Sequence, residues 1–189
     1  MDLIRFSPRR DYFVGIDSDG CAFDTMELKH KSVFIPRAIE AFGFESIADT
    51  YRATAERVNL YSRTRGANRF EAIAHCLDSL REAGSLPINV PDSKPIWEYV
   101  KSGRPLSNDS FAAYVEEEQG RIPGDHRDLL ERALEWSASS NRAIAALDVE
   151  VPPFTLVRES LERAKTFANT MIVSATPAEA LRKEWGQAG

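Results

Sequence analysis

Two aspartates two residues apart are the strongest chemical signal in this chain. Asp17 and Asp19 directly follow a short apolar run, Tyr12–Ile16, and Gly20 comes next. An apolar run of this length, bounded by turn residues, predicts a buried strand. Strand alternation would point both carboxylates to the same side, where like charges repel unless they share a cation or a proton. The pair therefore predicts a metal site, a nucleophile beside an acid/base, or both.

The segment around this pair, YFVGIDSDGCAFDT, resembles the first motif of the haloacid dehalogenase (HAD) superfamily. That motif is a hydrophobic strand followed by D-x-D-G-T-x-x-D-S/T. The residues that match it are Asp17, Asp19, Gly20, Asp24 and Thr25, with Cys21 where threonine is usual. The alternative for this segment is a plain strand followed by an Asp/Gly turn. Asp24 and Thr25 would then form a helix N-terminus, whereas the family resemblance implies a hinge.

The resemblance implies a catalytic role for each aspartate. Asp17 would attack phosphorus and form an aspartyl-phosphate, which divides one difficult transfer into two easier ones. Asp19 would protonate the leaving-group oxygen and later deprotonate the hydrolytic water. Mg²⁺ would bind the Asp17 carboxylate and the Asp19 backbone carbonyl, because it takes hard oxygen ligands. An acid at position 19 favours phosphate-ester hydrolysis, or phosphoryl transfer between sugars, over dehalogenation.

A second motif of the family is a later hydrophobic strand that ends in Thr or Ser. Met171–Val173 followed by Ser174 fits that pattern, and Thr176 with Pro177 predicts a helix start just beyond. Backbone N–H groups at such a helix start, with the Ser174 hydroxyl, would form a cradle for phosphate. The expected phosphate-binding residues are Ser174, Ala175 and Gly20.

Helices are predicted between the two motifs. Apolar residues recur there at three- and four-residue steps, as in Ile47, Tyr51, Ala55 and Val58, and in Phe70, Ile73, Leu77 and Leu80. The resemblance implies that this segment is a C1 cap. The expected fold is α/β: part of a HAD-like parallel-sheet (Rossmann-like) core from residues 1–25 and 152–189, with a large α-helical cap insert at residues 26–151.

Substrate choice in capped members of the family depends on the cap. Three arginines, Arg63, Arg65 and Arg69, lie around Gly66 between two predicted helices. Arginine can donate two parallel hydrogen bonds to phosphate or carboxylate, and Arg65 is our first choice for a substrate contact. The alternative is a solvated loop whose arginines pair with Asp or Glu.

Composition and charge exclude several classes of protein. The net charge of −5 provides no electrostatic basis for binding nucleic acid or an anionic membrane. Two cysteines do not make a disulfide framework. The N-terminus lacks the apolar segment of a signal peptide, and no apolar run approaches the ~20 residues of a membrane span. These features predict a soluble cytoplasmic protein. The resemblance implies that its partner is a small phosphorylated substrate.

The HAD family uses two further motifs beyond the second. One is a Lys or Arg that holds the nucleophile and phosphate together, and the other is an acidic pair that completes the Mg²⁺ site. Lys183 is the only lysine after Ser174, and it is predicted to lie on a helix. We therefore expect an incomplete chain. It is either one piece of a longer or cleaved protein, with the missing C-terminal part of the same protein as its partner, or a chain that pairs with another partner. A third alternative is a mainly helical domain with a degenerate core. Residues 1–189 alone should bind Mg²⁺ weakly and show negligible activity.

The leading prediction is a Mg²⁺-dependent HAD-type phosphohydrolase that acts on a small phosphorylated metabolite. One alternative is a phosphomutase of the same family. Another is a non-catalytic HAD-like binding or scaffold protein, because a fold alone does not fix a function.

Overall fold

The computed structural model describes residues 7–84, 86–118, 120, 123–147, 149–174 and 178–188. Over this part of the chain the fold is mixed α/β, mainly helical with a two-stranded parallel sheet. The chain divides into two compact units, Met1–Glu27 with Asp148–Gly189 (the sheet unit) and Leu28–Leu147 (the helical unit). The boundaries expected from the sequence followed residues 25 and 151. None of the described helices is long and apolar enough to cross a membrane.

The sheet contains the first strand at the predicted position. Tyr12–Ile16 (β1) pairs in parallel with Ala168–Ile172 (β2), and Ile16 lies opposite Ile172. The N–H of Val173 donates to Ile16 O at 2.8 Å, which extends the pairing beyond both strands. The carboxyl ends of β1 and β2 therefore lie side by side.

The second strand begins earlier than the apolar run Met171–Val173 predicted. Asn169 explains the difference, because its side-chain amide donates to the carbonyl oxygens of Arg10 and Tyr12 at 2.8 and 3.1 Å. These bonds fix the start of β2 beside the start of β1. The strand signal here is a polar side chain rather than an apolar one, so hydrophobic patterning did not reveal it.

Between β1 and residue 147, the regular elements among the described residues are helices joined by loops, as the apolar stripes predicted. Its α-helices are Thr25–Lys29 (α1), Ile35–Phe42 (α2), Ala48–Leu60 (α3), Arg69–Ala83 (α4), Lys94–Lys101 (α5), Asn108–Glu117 (α6) and Gly124–Ala145 (α7). A π-helical turn, His30–Phe34, joins α1 to α2, and a 3₁₀ turn, Glu45–Ile47, precedes α3. Pro36 lies in the first turn of α2, where its missing N–H costs little.

A single hydrophobic core cluster fills the helical unit, with residues from α2 to α7. Phe70, Tyr99 and Phe111 are fully buried at its centre, with ring centroids 4.4–5.6 Å apart. The Tyr99 hydroxyl donates to Pro105 O at 2.7 Å, so the aromatic centre buries a satisfied polar group. This unit therefore has its own core.

Two helices flank β2 within the sheet unit. Val157–Phe167 (α8) leads into β2. Ala178–Ala188 (α9) follows β2. The half-buried residues of α9 recur at helical spacing and define one packed face: Leu181, Glu184, Trp185 and Ala188.

Candidate active site

The chain leaves β1 through a tight turn that bears both predicted catalytic carboxylates. We refer to residues 17–24 as the Asp turn. The carbonyl of Ser18 accepts the N–H groups of Ala22 and Phe23 at 3.0 and 3.1 Å, and Gly20 N–H donates to Phe23 O at 2.7 Å. Gly20 has a φ of 72°, a left-handed conformation that favours glycine. The D-x-D-G sequence therefore folds into a closed, internally hydrogen-bonded turn.

The two carboxylates of the Asp turn have different surroundings. Asp17 is exposed, and its Oδ1 accepts the N–H of Ser18 at 2.8 Å. Asp19 is half-buried, and its Oδ1 accepts a hydrogen bond from the hydroxyl of Thr25. Thr25 is itself buried as the first residue of α1. An accessible carboxylate beside an oriented one is the arrangement that a nucleophile and its acid/base partner require.

Two of the predicted phosphate-binding residues are described by the structure: Gly20 follows β1 within the Asp turn, and Ser174 follows β2. Asp17 follows β1, and Ser174 comes directly after Val173, whose N–H donates to Ile16 O of that strand. Ligands of parallel α/β sheets bind outside the carboxyl ends of the strands. Ala175, with Thr176 and Pro177, lies outside the described residues, so the expected phosphate cradle stays a prediction.

The oxygen atoms of the Asp turn match Mg²⁺ in chemical type. The Asp17 carboxylate and the Asp19 backbone carbonyl are hard ligands, and Mg²⁺ keeps several waters when proteins bind it through few carboxylates. Among the described residues, no group of three or more His, Cys, Asp or Glu side chains could hold a metal ion. The Mg²⁺ site expected at Asp17 and Asp19 therefore stays a prediction.

The loop between α3 and α4, residues 61–68, exposes two of the three predicted substrate-binding arginines and is referred to as the Arg loop. Arg63 and Arg65 are exposed, and neither forms an ion pair with a carboxylate among the described residues. Side-chain donors tie the loop to carbonyl groups at the end of α3: Ser62 and Thr64 to Val58 O, and Arg65 to Leu60 O. The loop therefore exposes two cationic side chains, and its hydrogen bonds to α3 hold it in place.

Arg69, the third of these arginines, is half-buried and begins α4. Its Nη1 donates to Ser137 O, Ser137 Oγ and Asn141 Oδ1 at 3.2, 3.1 and 2.7 Å. Its guanidinium also lies over the Phe34 ring, 4.8 Å from the centroid, and burial lowers its pKa. Arg69 therefore joins α4 to α7, a contact that the sequence did not indicate.

A small, partly open pocket lies within the helical unit. Arg69, Asn59 and Cys76 are among its lining residues. Cys76 is buried and receives a weak hydrogen bond from Asn59 Nδ2 at 3.8 Å. Burial raises the pKa of the Cys76 thiol to about 12, so this thiol is neutral at physiological pH.

Helix α9 contacts the Asp turn through Ser18, which sequence reasoning did not single out. Ser18 Oγ accepts a hydrogen bond from Trp185 Nε1 at 3.0 Å and donates to Glu184 Oε2 at 3.3 Å. The Trp185 ring packs edge-on against Phe23, with centroids 5.2 Å apart. We refer to these contacts as the α9 clamp. The sequence offered one signal for this contact. Ser18 is polar, and strand alternation would point its side chain to the side opposite Asp17 and Asp19.

Lys183, the lysine considered for holding the nucleophile and phosphate together, is exposed on α9.

No protein-family model, curated protein or solved structure matches this chain.

Proposed function

We propose that this chain bears the nucleophile and acid/base of a Mg²⁺-dependent phosphohydrolase of the HAD type, acting on a small phosphorylated metabolite. The observation that supports it most is the geometry of the Asp turn. Asp17 is an exposed carboxylate directly after a parallel strand, and Asp19 is an oriented carboxylate two residues on. Ser174 follows the neighbouring strand at the same edge of the sheet. This combination matches the chemistry that the first and second motifs imply.

In the proposed reaction, Asp17 forms a bond to phosphorus while the ester P–O bond breaks. Asp19 gives its proton to the leaving alcohol oxygen, and it then removes a proton from the water that attacks the aspartyl-phosphate. Attack by this water releases inorganic phosphate and restores the Asp17 carboxylate. Bound Mg²⁺, held by the Asp17 carboxylate and the Asp19 carbonyl, would neutralise charge on the phosphoryl group.

The hydroxyl of Thr25 supports the role of Asp19 in this reaction. Because it donates to Asp19 Oδ1, it restricts the rotation of that carboxyl group. General acid/base catalysis depends on such positioning, since the proton must move along a hydrogen bond to the reacting oxygen.

The direct test is phosphate release from a panel of phosphate esters with Mg²⁺ present. It uses the longest natural chain that contains these residues, with residues 1–189 in parallel. Asp17→Asn should abolish turnover while the protein stays folded. Asp19→Ala should reduce turnover most for esters with poor leaving groups, because those need the proton most. The matched control is Asp11→Asn, which removes an exposed carboxylate just before β1. Undiminished hydrolysis by Asp17→Asn would refute the proposal.

The Arg loop is the proposed contact for an additional anionic group on the substrate, because Arg63 and Arg65 are exposed and held by a braced backbone. Arg65→Ala should raise KM for substrates that bear a second charged group and leave KM unchanged for a minimal aryl phosphate. Equal changes for both substrates would assign Arg65 a structural role.

We also propose a cytoplasmic location, which the small number of cysteines supports.

A further inference from the structure

Ser18 has hydrogen bonds in three directions. Its N–H donates to the Asp17 carboxylate, and its carbonyl accepts the amides that close the Asp turn. Its hydroxyl is shared between Trp185 and Glu184 on α9. A change in the backbone at Ser18 would therefore move the Asp17 carboxylate and the start of the turn together.

The burial pattern of the Asp turn separates the reactive side from the clamped side. Ser18 has 0% of its surface exposed, whereas Asp17 is exposed and Asp19 is half-buried. The two carboxylates therefore retain access to solvent while the residue between them packs against α9. Contacts to Ser18 can influence the carboxylates without blocking them.

The contacts to Ser18 do more than fill space. An apolar side chain at position 18 could pack against Trp185 equally well, but packing is not directional. Here the hydroxyl uses both its donor and its acceptor, and hydrogen bonds have strict angular preferences. Leaving either partner unsatisfied in a buried position is costly, which favours one orientation of Ser18.

Helix α9 is also secured at its far end. Arg158 of α8 donates to the carbonyl of Ala188, in the last turn of α9. Cationic side chains commonly satisfy the last carbonyl groups of a helix in this way. The clamp is therefore anchored to α8, which leads directly into β2.

We propose that the α9 clamp positions the Asp17 and Asp19 carboxylates for phosphoryl chemistry, with Ser18, Trp185 and Glu184 as positioning residues. This role rests on the phosphohydrolase function proposed above. Catalysis is sensitive to such positioning because small displacements of a reacting group cost large factors in rate.

The test compares Trp185→Phe, which keeps an aromatic ring but loses the N–H donor, with Ser18→Ala. The matched control is Trp97→Phe in the helical unit. Trp97 is also half-buried and donates its Nε1–H to a polar side chain, Asp78 Oδ2, at 2.9 Å. All three variants are made in the longest natural chain and in residues 1–189. The readouts are Tm, kcat and KM for aryl phosphates with graded leaving groups, and the backbone amide NMR signals of Asp17 and Asp19.

Trp185→Phe should lower kcat about tenfold with KM unchanged, and the loss should grow as the leaving group becomes poorer. The double variant with Ser18→Ala should lose no more than Ser18→Ala alone, because Ser18→Ala already removes the hydrogen bond to Trp185. Trp97→Phe should lower Tm to a similar extent and leave kcat unchanged. Equal kcat losses in Trp185→Phe and Trp97→Phe would overturn the positioning role.

The NMR readout separates failure of this inference from failure of the proposed function. If the wild-type protein hydrolyses no phosphate ester, the proposed function is wrong, but the clamp can still be tested. The amide signals of Asp17 and Asp19 should then shift in Trp185→Phe and Ser18→Ala and stay in place in Trp97→Phe. Unchanged signals in the first two variants would overturn the inference regardless of activity.

Discussion

The hydroxyl of Thr25 donates a hydrogen bond to Asp19 Oδ1, which makes Thr25 a sharp target for mutation. Thr25→Val keeps the shape of the side chain and removes the donor. We expect kcat for phosphate esters to fall about tenfold, because an unrestrained acid spends less time aligned with the leaving group. Thr166→Val is the matched control, since it loses a hydroxyl contact to Arg163 O on exposed α8. Equal kcat for the two variants would contradict this role.

The buried Cys76 thiol makes stability depend on pH. Burial raises its pKa from 9.0 to about 12, so above pH 9 the unfolded chain loses this proton while the folded chain keeps it. The unfolded state then binds fewer protons, and the free energy of unfolding falls as pH rises from 9 towards 12. The slope from one group is at most about 1.4 kcal/mol per pH unit. Tyr51, whose pKa burial raises well above 10.0, adds to the loss at the upper end.

Urea denaturation at pH 8.0, 9.0 and 10.0 measures this slope. Cys76→Ala should flatten it, whereas Cys21→Ala, which removes the exposed thiol, should leave it unchanged. The comparison uses slopes because Cys76→Ala also changes packing and therefore lowers stability at every pH. Parallel slopes for wild type and Cys76→Ala would show that the thiol does not control the pH dependence.

At the scale of elements, sequence patterns predicted the strands, helices and turns that depend on interactions between residues close in sequence. The apolar run of β1, the stripes of α3 and α4 and the turn at Gly20 depend on neighbouring residues, and each was predicted at or near its observed position. The start of β2 depends on Asn169 reaching the backbone of β1. The hydrogen bond of Trp185 to Ser18 and the bonds of Arg69 to α7 likewise join residues far apart in sequence. Periodicity contains no information on such pairs.

The link between α4 and α7 through Arg69 should matter for stability. Arg69→Met retains most of the aliphatic volume and removes three hydrogen bonds to α7. We expect a loss of about 2 kcal/mol in the free energy of unfolding, because charged hydrogen bonds are involved and Ser137 is buried. Arg63→Met on the exposed Arg loop is the control and should change stability by less than about 0.5 kcal/mol. Similar urea midpoints for both variants would contradict the structural role of Arg69.

For the whole molecule, the two units differ in how they can be stabilised. The hydrophobic core cluster, from Ile35 to Trp136, lies entirely within Leu28–Leu147. A two-stranded sheet, in contrast, has little capacity to bury a core of its own. Residues 28–147 expressed alone should therefore be helical by circular dichroism and unfold cooperatively in urea. A gradual, non-cooperative transition would show that the helical unit needs the sheet unit to fold.

The parallel pairing of β1 with β2 also determines the order in which parts of the chain can fold during synthesis. At roughly 5–20 residues per second, a ribosome needs on the order of ten seconds to pass from β1 to β2. During that time β1 has no partner strand. Its residues Tyr12 and Phe13 are exposed even in the folded chain. The helical unit can meanwhile fold from residues already made. Trp185 is made after both strands, so a nascent chain acquires the α9 clamp on the Asp turn only after β2 has been synthesised.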